Sequence, residues 1–184
     1  MIRLIEPTME YDRQIQDFRQ EFVDTGDYID GGGELLRYDD TKEWLDHIDQ
    51  RLTTESQLAG IVPATQFLCL REEDGKIVGA IQIRHYLDTF LEHYAGHIGY
   101  CVRPSERRKG IAKEMLRLAL PECRKLGINR VLITCRDDNE ASRRTILANG
   151  GVYESTVFFF ARDIQIERYW IELEDTENTA QTEI

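Results

Sequence analysis

"PSERRKGIAKEM", residues 104–115, sets three consecutive basic residues, Arg107, Arg108 and Lys109, directly before a lone glycine and a helix-like run. An isolated basic triplet is ordinarily a solvated charge cluster. The neighbouring residues change that reading. Upstream lies the strand-like "AGHIGYCVRP"; downstream, Ile111, Met115, Leu118 and Ala119 recur at helical spacing until Leu126 and Gly127, where glycine offers a C-cap. A strand, a short loop carrying Arg107-x-x-Gly110-x-Ala112 and a helix that begins inside the loop suit a pyrophosphate. The first helical turn has unpaired N–H groups and the positive end of the macrodipole, so an anion stabilises it. Gly110 and Ala112 keep bulk away from the backbone, Ile111 and Lys113 belong to the same turn, and the basic triplet adds positive charge.

The rest of the chain limits what such a loop can serve. Its 184 residues suffice for one domain with its own core. A hydrophobic fraction of 41% and a charged fraction of 31% are ordinary for a globular protein. The net charge of -11 argues against a nucleic-acid partner, which requires a basic face, and mildly favours a cationic one. No window approaches the roughly 18 apolar residues of a membrane helix, and "MIRLIEPTMEYDR" lacks the apolar core of a secretory leader, so the expected location is cytoplasmic. Cys69, Cys101, Cys123 and Cys135 are widely spaced without a C-x-x-C pair, the pattern of reduced, packed thiols. His93-x-x-x-His97 is the one histidine pair at ligand spacing, and no glutamate or cysteine partner follows it, so no metal is expected.

Along the chain, "MIRLIEP" reads as a strand, and Thr8 as the cap of a helix to about residue 23 with Ile15, Phe18, Phe22 and Val23 on its apolar stripe. Residues 24–34, "DTGDYIDGGGE", read as a long, mobile loop. Residues 41–52 form a second helix, with Trp44, Leu45, Ile48 and Leu52 as its stripe. "TQFLCLRE" and "KIVGAIQIRHYL", joined through "EDG", predict a hairpin. Pro121 predicts a kink or change of register in the helix after Gly110. "NRVLITCR" is a strand, Asn139 caps the helix "EASRRTILAN", and "VYESTVFFF" with "IQIERYWIEL" closes a second hairpin. With no repeat or composition break, residues 1–173 make one mixed α/β domain and residues 174–184 an acidic, flexible tail.

A Walker loop is excluded, because no Gly-Lys-[Ser/Thr] follows, and the G-x-G-x-x-G dinucleotide fingerprint is absent. The combination of "IGYCVRPSERRKGIA" with "NEASRRTILANGG" about thirty residues later resembles the GNAT superfamily of acetyl-coenzyme A dependent N-acetyltransferases, in its small bacterial-type form. The resemblance implies a mixed, mostly antiparallel sheet flanked by helices, with two splayed central parallel strands, here "HIGYCVRP" and "NRVLITCR". It implies that Arg107, Gly110 and Ala112 bind the coenzyme pyrophosphate, that Asn139 and Ser142 form a second cofactor motif, and that Cys101 and Val102, with Tyr100, offer backbone to the pantetheine arm.

By the same resemblance the reaction is acetyl transfer from acetyl-CoA to a primary amine of a small molecule or peptide, by direct attack in a ternary complex. The tyrosine that protonates the thiolate in relatives would fall seven residues after Asn139, and that position is Ile146. Tyr153 or Ser142 are then the candidate donors, with positioning and water as the alternative. For the base, His97 and Tyr100 are the candidates, on opposite faces of their strand. Asp30 and Glu34 of the glycine-rich loop are candidate contacts to the substrate. A coenzyme A-binding module without efficient turnover is the alternative function, and a ligand-free acidic interaction domain a third. Monomer and homodimer both remain open.

Overall fold

A computed structural model describes residues 1–173; the acidic tail expected at 174–184 lies outside them. Four strands, β1 (Ile2–Ile5), β2 (Ala64–Arg71), β3 (Lys76–Arg84) and β4 (Ile98–Val102), form one antiparallel sheet in sequence order. Three more, β5 (Arg130–Arg136), β6 (Val152–Phe159) and β7 (Ile164–Glu172), form a second, with β7 in the middle. The helices are α1 (Asp12–Thr25), α2 (Thr41–Gln50), the short α3 (Thr54–Leu58), α4 (Ile111–Lys125) and α5 (Glu140–Leu147).

The first sheet is covered on both faces, which explains why β3 reads as an almost unbroken apolar run. On one face Ile77 and Ala80 pack with Leu68 and Leu70 against Ile15, Phe18 and Phe22 of α1 and Trp44 of α2. On the other, Val78, Ile81 and Ile83 join Ile111, Met115, Leu116 and Ala119 of α4, Val131 and Ile133 of β5, and Ile146 of α5. This second cluster bridges the two sheets.

Several local expectations are corrected. Thr8 makes no side-chain cap; its carbonyl accepts from Tyr11 N–H in a 3-10 turn, Met9–Tyr11, that precedes α1. Helix α2 starts at Thr41 as expected but ends at Gln50 rather than residue 52, and it is capped by Asp40, whose side chain accepts from Glu43 N–H. Val23 and Leu52 lie exposed, outside the stripes they were assigned to. Helix α4 continues through Pro121 to Lys125 without a break and ends as expected at Gly127, where Ile128 N–H reaches Cys123 O and Gly127 N–H reaches Arg124 O. The loop at 24–34 is tethered: Ile29 packs in the core, and Trp44 Nε1 donates to the carbonyls of Gly32 and Gly33.

No hydrogen-bonded ladder joins β4 to β5. The two sheets meet at His97, whose N–H donates to Leu132 O at 2.7 Å while its Nδ1 accepts from Leu132 N–H at 2.9 Å. Beyond that double clasp, among the described residues, the outer edge of β4 has no strand paired with it. Arg84 N–H bonds His97 O and Arg103 N–H bonds Val78 O, so the odd-numbered positions face β3. Alternation then turns the N–H and C=O of Tyr100 and Val102 toward the open side. The Val102 carbonyl accepts there from Arg107 Nε at 3.2 Å.

Candidate active site

The stretch between β4 and α4 is built on buried charge. Arg103, at the end of β4, donates to Glu21 of α1 and to the carbonyls of Asp17 and Ile77. Glu21 also accepts from the N–H and hydroxyl of Ser105, which fixes the 3-10 turn Pro104–Glu106. Glu106 is buried, and its carboxylate takes Arg71 at 2.7 Å, Lys76 at 2.8 Å and Lys109 at 2.8 Å. Those hydrogen bonds, Arg71 first, hold its pKa far below the usual carboxylate range.

From this base the chain rises into an exposed turn. Arg108 and Gly110 both adopt left-handed backbone, with φ of 63° and 79°. A Cβ on Gly110 would meet nothing within 4 Å, so glycine serves the conformation there. None of the backbone N–H groups of residues 108–113 has an acceptor among the described residues; the first helical bond is Glu114 N–H to Gly110 O. Six consecutive donors thus face outward at the N-terminus of a 15-residue helix.

The basic triplet is less free than its sequence implies. Arg107 pairs with Asp27 at 2.8 Å, and Lys109 is committed to Glu106. Among the described residues only Arg108 of the three has no ion-pair partner.

The second motif is formed as expected: Asn139 Oδ1 accepts from Ser142 N–H at 3.1 Å and caps α5. Tyr100 reaches α5 from β4, its hydroxyl 2.8 Å from Ser142 Oγ. Burial, above all, pushes the Tyr100 phenol up to about 12. Cys101 turns to the opposite face, where burial pushes its thiol higher still. Ile146 is fully buried in the core between the sheets, so the position is spent on packing.

The remaining candidates separate. His97 is 7% exposed, its Nδ1 occupied by Leu132 N–H, and burial with Arg84 nearby lowers its pKa to about 4. Tyr153 lies exposed on β6 with its hydroxyl 2.8 Å from Thr156 Oγ1. Glu34 turns to Arg37 at 2.7 Å and His47 at 3.8 Å. Asp30 is exposed, yet partial desolvation by the surrounding protein raises its pKa against the opposing fields of Arg84 and Arg162. Its neighbour Gly31 presses on β4: a Cβ there would sit 1.9 Å from Gly99 O and 2.6 Å from Tyr100 N. Residues 91–95 form a π-helical turn that sequence periodicity did not register. His93 in that turn contacts Thr89 O, so it and His97 are engaged separately. No group of three or more metal-ligating side chains occurs among the described residues.

A family model described as the acetyltransferase (GNAT) family matches residues 32–150. Solved structures share the fold. RimJ of Mycobacterium smegmatis, solved in complex with CoA-disulfide, is 18% identical, with 93% of this chain and 81% of that one covered and a TM-score of 0.66. YncA from Salmonella typhimurium, solved with its cofactor acetyl-CoA, is 17% identical with 96% of both chains covered and a TM-score of 0.64. Ribosomal-protein-S5-alanine acetyltransferase from Vibrio fischeri is 18% identical, covering 95% and 93%, with a TM-score of 0.63. No curated protein matches this sequence. With more than half of the chain matched by the family model, on a fold whose β4–α4 turn presents its amides outward, the chain belongs to the GNAT acetyltransferase family.

Proposed function

We propose that the protein is an N-acetyltransferase that transfers the acetyl group of acetyl-CoA to a primary amine of a small molecule or peptide, the N–C bond forming as the thioester C–S bond breaks. The observation that carries this reading is the run of six unbonded N–H groups at residues 108–113, capped by a left-handed Gly110. These donors, with Arg108, fit a pyrophosphate, and the open edge of β4 at Tyr100 and Val102 fits an extended amide-bearing arm. Beta4 and β5 are read as the splayed parallel pair of the family. Acetyl-CoA supplies an activated acyl group. A backbone N–H near Tyr100 to Val102 stabilises charge on the acyl oxygen.

With Ile146 in the core, the Tyr100 hydroxyl, held by Ser142, is the better-placed proton donor for a leaving thiolate than Tyr153. His97 serves the fold: its one accepting nitrogen clasps β5. The buried Ile146 also favours a second reading, a coenzyme A-binding module with little turnover.

Titration of acetyl-CoA, with thiol release followed over a panel of amines and repeated for Gly110→Glu, tests both readings. Binding by the wild type and its loss in the variant support the cradle, and turnover of any amine identifies an enzyme. Binding without turnover leaves the second reading, and no binding overturns both.

A further inference from the structure

Two uncharged amides interrupt the apolar face that the first sheet turns to α1 and α2. Gln66 on β2 and Gln82 on β3 stand directly opposite each other, 5% and 6% exposed, two residues along from Leu68 and Ala80 on that face. Apolar side chains there would need no partners, whereas a buried amide is unfavourable until it is hydrogen-bonded. These two are satisfied in one chain of bonds. Gln82 Nε2 donates to Gln66 Oε1 at 3.2 Å, which turns the Gln66 amide so that its Nε2 donates to Gly31 O at 2.8 Å, besides Phe67 O at 3.0 Å and Ile81 O at 3.2 Å.

The same row ends at β4. Gln82 pairs across the sheet with Gly99, so Gln66, Gln82 and Gly99 line up beneath the glycine loop. A Cβ on Gly31 would lie 1.9 Å from Gly99 O, 2.2 Å from Gly99 C and 2.6 Å from Tyr100 N, so Gly31 sits on the peptide that carries the Tyr100 N–H. A Cβ on Gly33 would meet Ile48 at 2.8 Å and Gln66 Oε1 at 2.9 Å. The loop is therefore clamped between a buried amide and the strand, and a fully partnered buried amide pair fixes one arrangement rather than several.

We infer that Gln66 and Gln82 are positioning residues for acetyl transfer: through Gly31 they hold the Gly99–Tyr100 peptide so that the Tyr100 N–H keeps its aim at the acyl oxygen. This rests on the acetyltransferase reading above and deepens it, by naming what fixes the donor that stabilises the developing charge. Their action is indirect. A donor that must not reorganise during the reaction needs rigid support beneath it, and the amide chain supplies that support from the buried side of the sheet.

The test reads the thioester itself and needs no acceptor. Acetyl-CoA labelled with carbon-13 at the acetyl carbonyl is bound to wild type, to Gln66→Met and to the double variant Gln66→Met/Gln82→Met, with affinity measured by titration and the carbonyl stretch by isotope-edited infrared difference spectroscopy. In wild type the bound carbonyl is expected at lower frequency than in free acetyl-CoA, because an N–H bond polarises it. Gln66→Met keeps the side chain's length but has no donor, so most of that downshift should be lost while acetyl-CoA binds within about twofold of wild type. On an amine that turns over, kcat should fall roughly tenfold to 100-fold. The single replacement strands the Gln82 donor and lowers the melting temperature; the double replacement removes both amides and restores most of it. A pair that served only stability would regain the downshift together with the melting temperature, whereas a positioning pair does not, because Gly31 O still lacks its donor. A downshift absent from wild type, retained in Gln66→Met or regained in the double variant overturns the inference while the cofactor reading stands; the double variant decides alone if Gln66→Met does not fold. Absence of coenzyme binding overturns the cofactor reading first, and the inference with it.

Discussion

The hydroxyl of Tyr100 lies 2.8 Å from Ser142 Oγ, a bond from β4 of the first sheet to α5, the helix that packs on the second. It spans the side of the molecule where β4 has no neighbouring strand. It is also a hydroxyl pair close to the edge that the cofactor reading assigns to the pantetheine arm.

Tyr100→Phe removes the hydroxyl and leaves the ring. If the phenol protonates the thiolate, kcat falls about 100-fold, within the range for general acid catalysis, while the affinity for acetyl-CoA is unchanged. Ser142→Ala costs about 1 kcal/mol of stability as one hydrogen bond and lowers kcat less. Stopped-flow thiol release on both variants, with calorimetric Kd values, separates the effects; equal kcat in Tyr100→Phe and wild type removes the phenol from the chemistry.

Glu106 is the buried anchor of the cofactor turn. Glu106→Gln leaves Arg71, Lys76 and Lys109 facing a neutral amide, at a cost of about 3 kcal/mol, the low end for a broken buried pair because the cations retain solvent. The wild-type carboxyl titrates below its ordinary 4.5, so its stabilisation is full above that pH and is lost as pH falls toward the folded pKa. Urea unfolding from pH 6 down to pH 3 should therefore be steeper in wild type than in Glu106→Gln.

His97 contributes with the opposite charge logic. Its pKa falls from 6.5 to about 4 on folding, so between those values the unfolded chain binds the extra proton. Stability then declines as pH drops through that window, by roughly 3 kcal/mol in all. His97→Gln should flatten the dependence between pH 6.5 and 4 and lower the melting temperature at pH 7. A pH–rate profile should show no limb from an imidazole near 6.5.

Gly31 tests the loop that carries Asp30. Gly31→Ala places a methyl within 2 Å of Gly99 O on a residue with φ of 64°, so the loop must lift from β4. The acceptor KM should rise about tenfold with coenzyme A affinity within about twofold, since the cradle at 108–113 is held separately by Glu106 and Glu21.

Much of this arrangement is legible in residue order. All seven strands and the four longer helices follow from periodicity and from Gly or Asn caps, because apolar alternation and helical stripes are local properties. Val23 and Leu52 stay exposed because Val23 turns off the face that carries Ile15, Phe18 and Phe22, and Leu52 lies past the end of α2 at Gln50. Helix α3 and the π-helical turn at 91–95 escape periodicity because five residues are too few to repeat.

By itself the sequence determined the motif spacing from Arg107 to Ser142, and with it the family, because anion binding at a helix start needs only a left-handed glycine and unbonded amides close together in the chain. The tertiary structure alone decided which charges are free. Lys109 is consumed by Glu106 and Arg107 by Asp27, His97 by Leu132, and Glu34 by Arg37, whereas Gly31 and Arg84 come together on Gly99 from segments more than fifty residues apart. Partnering across such separations depends on where packed elements bring side chains, and no local pattern in the chain encodes it.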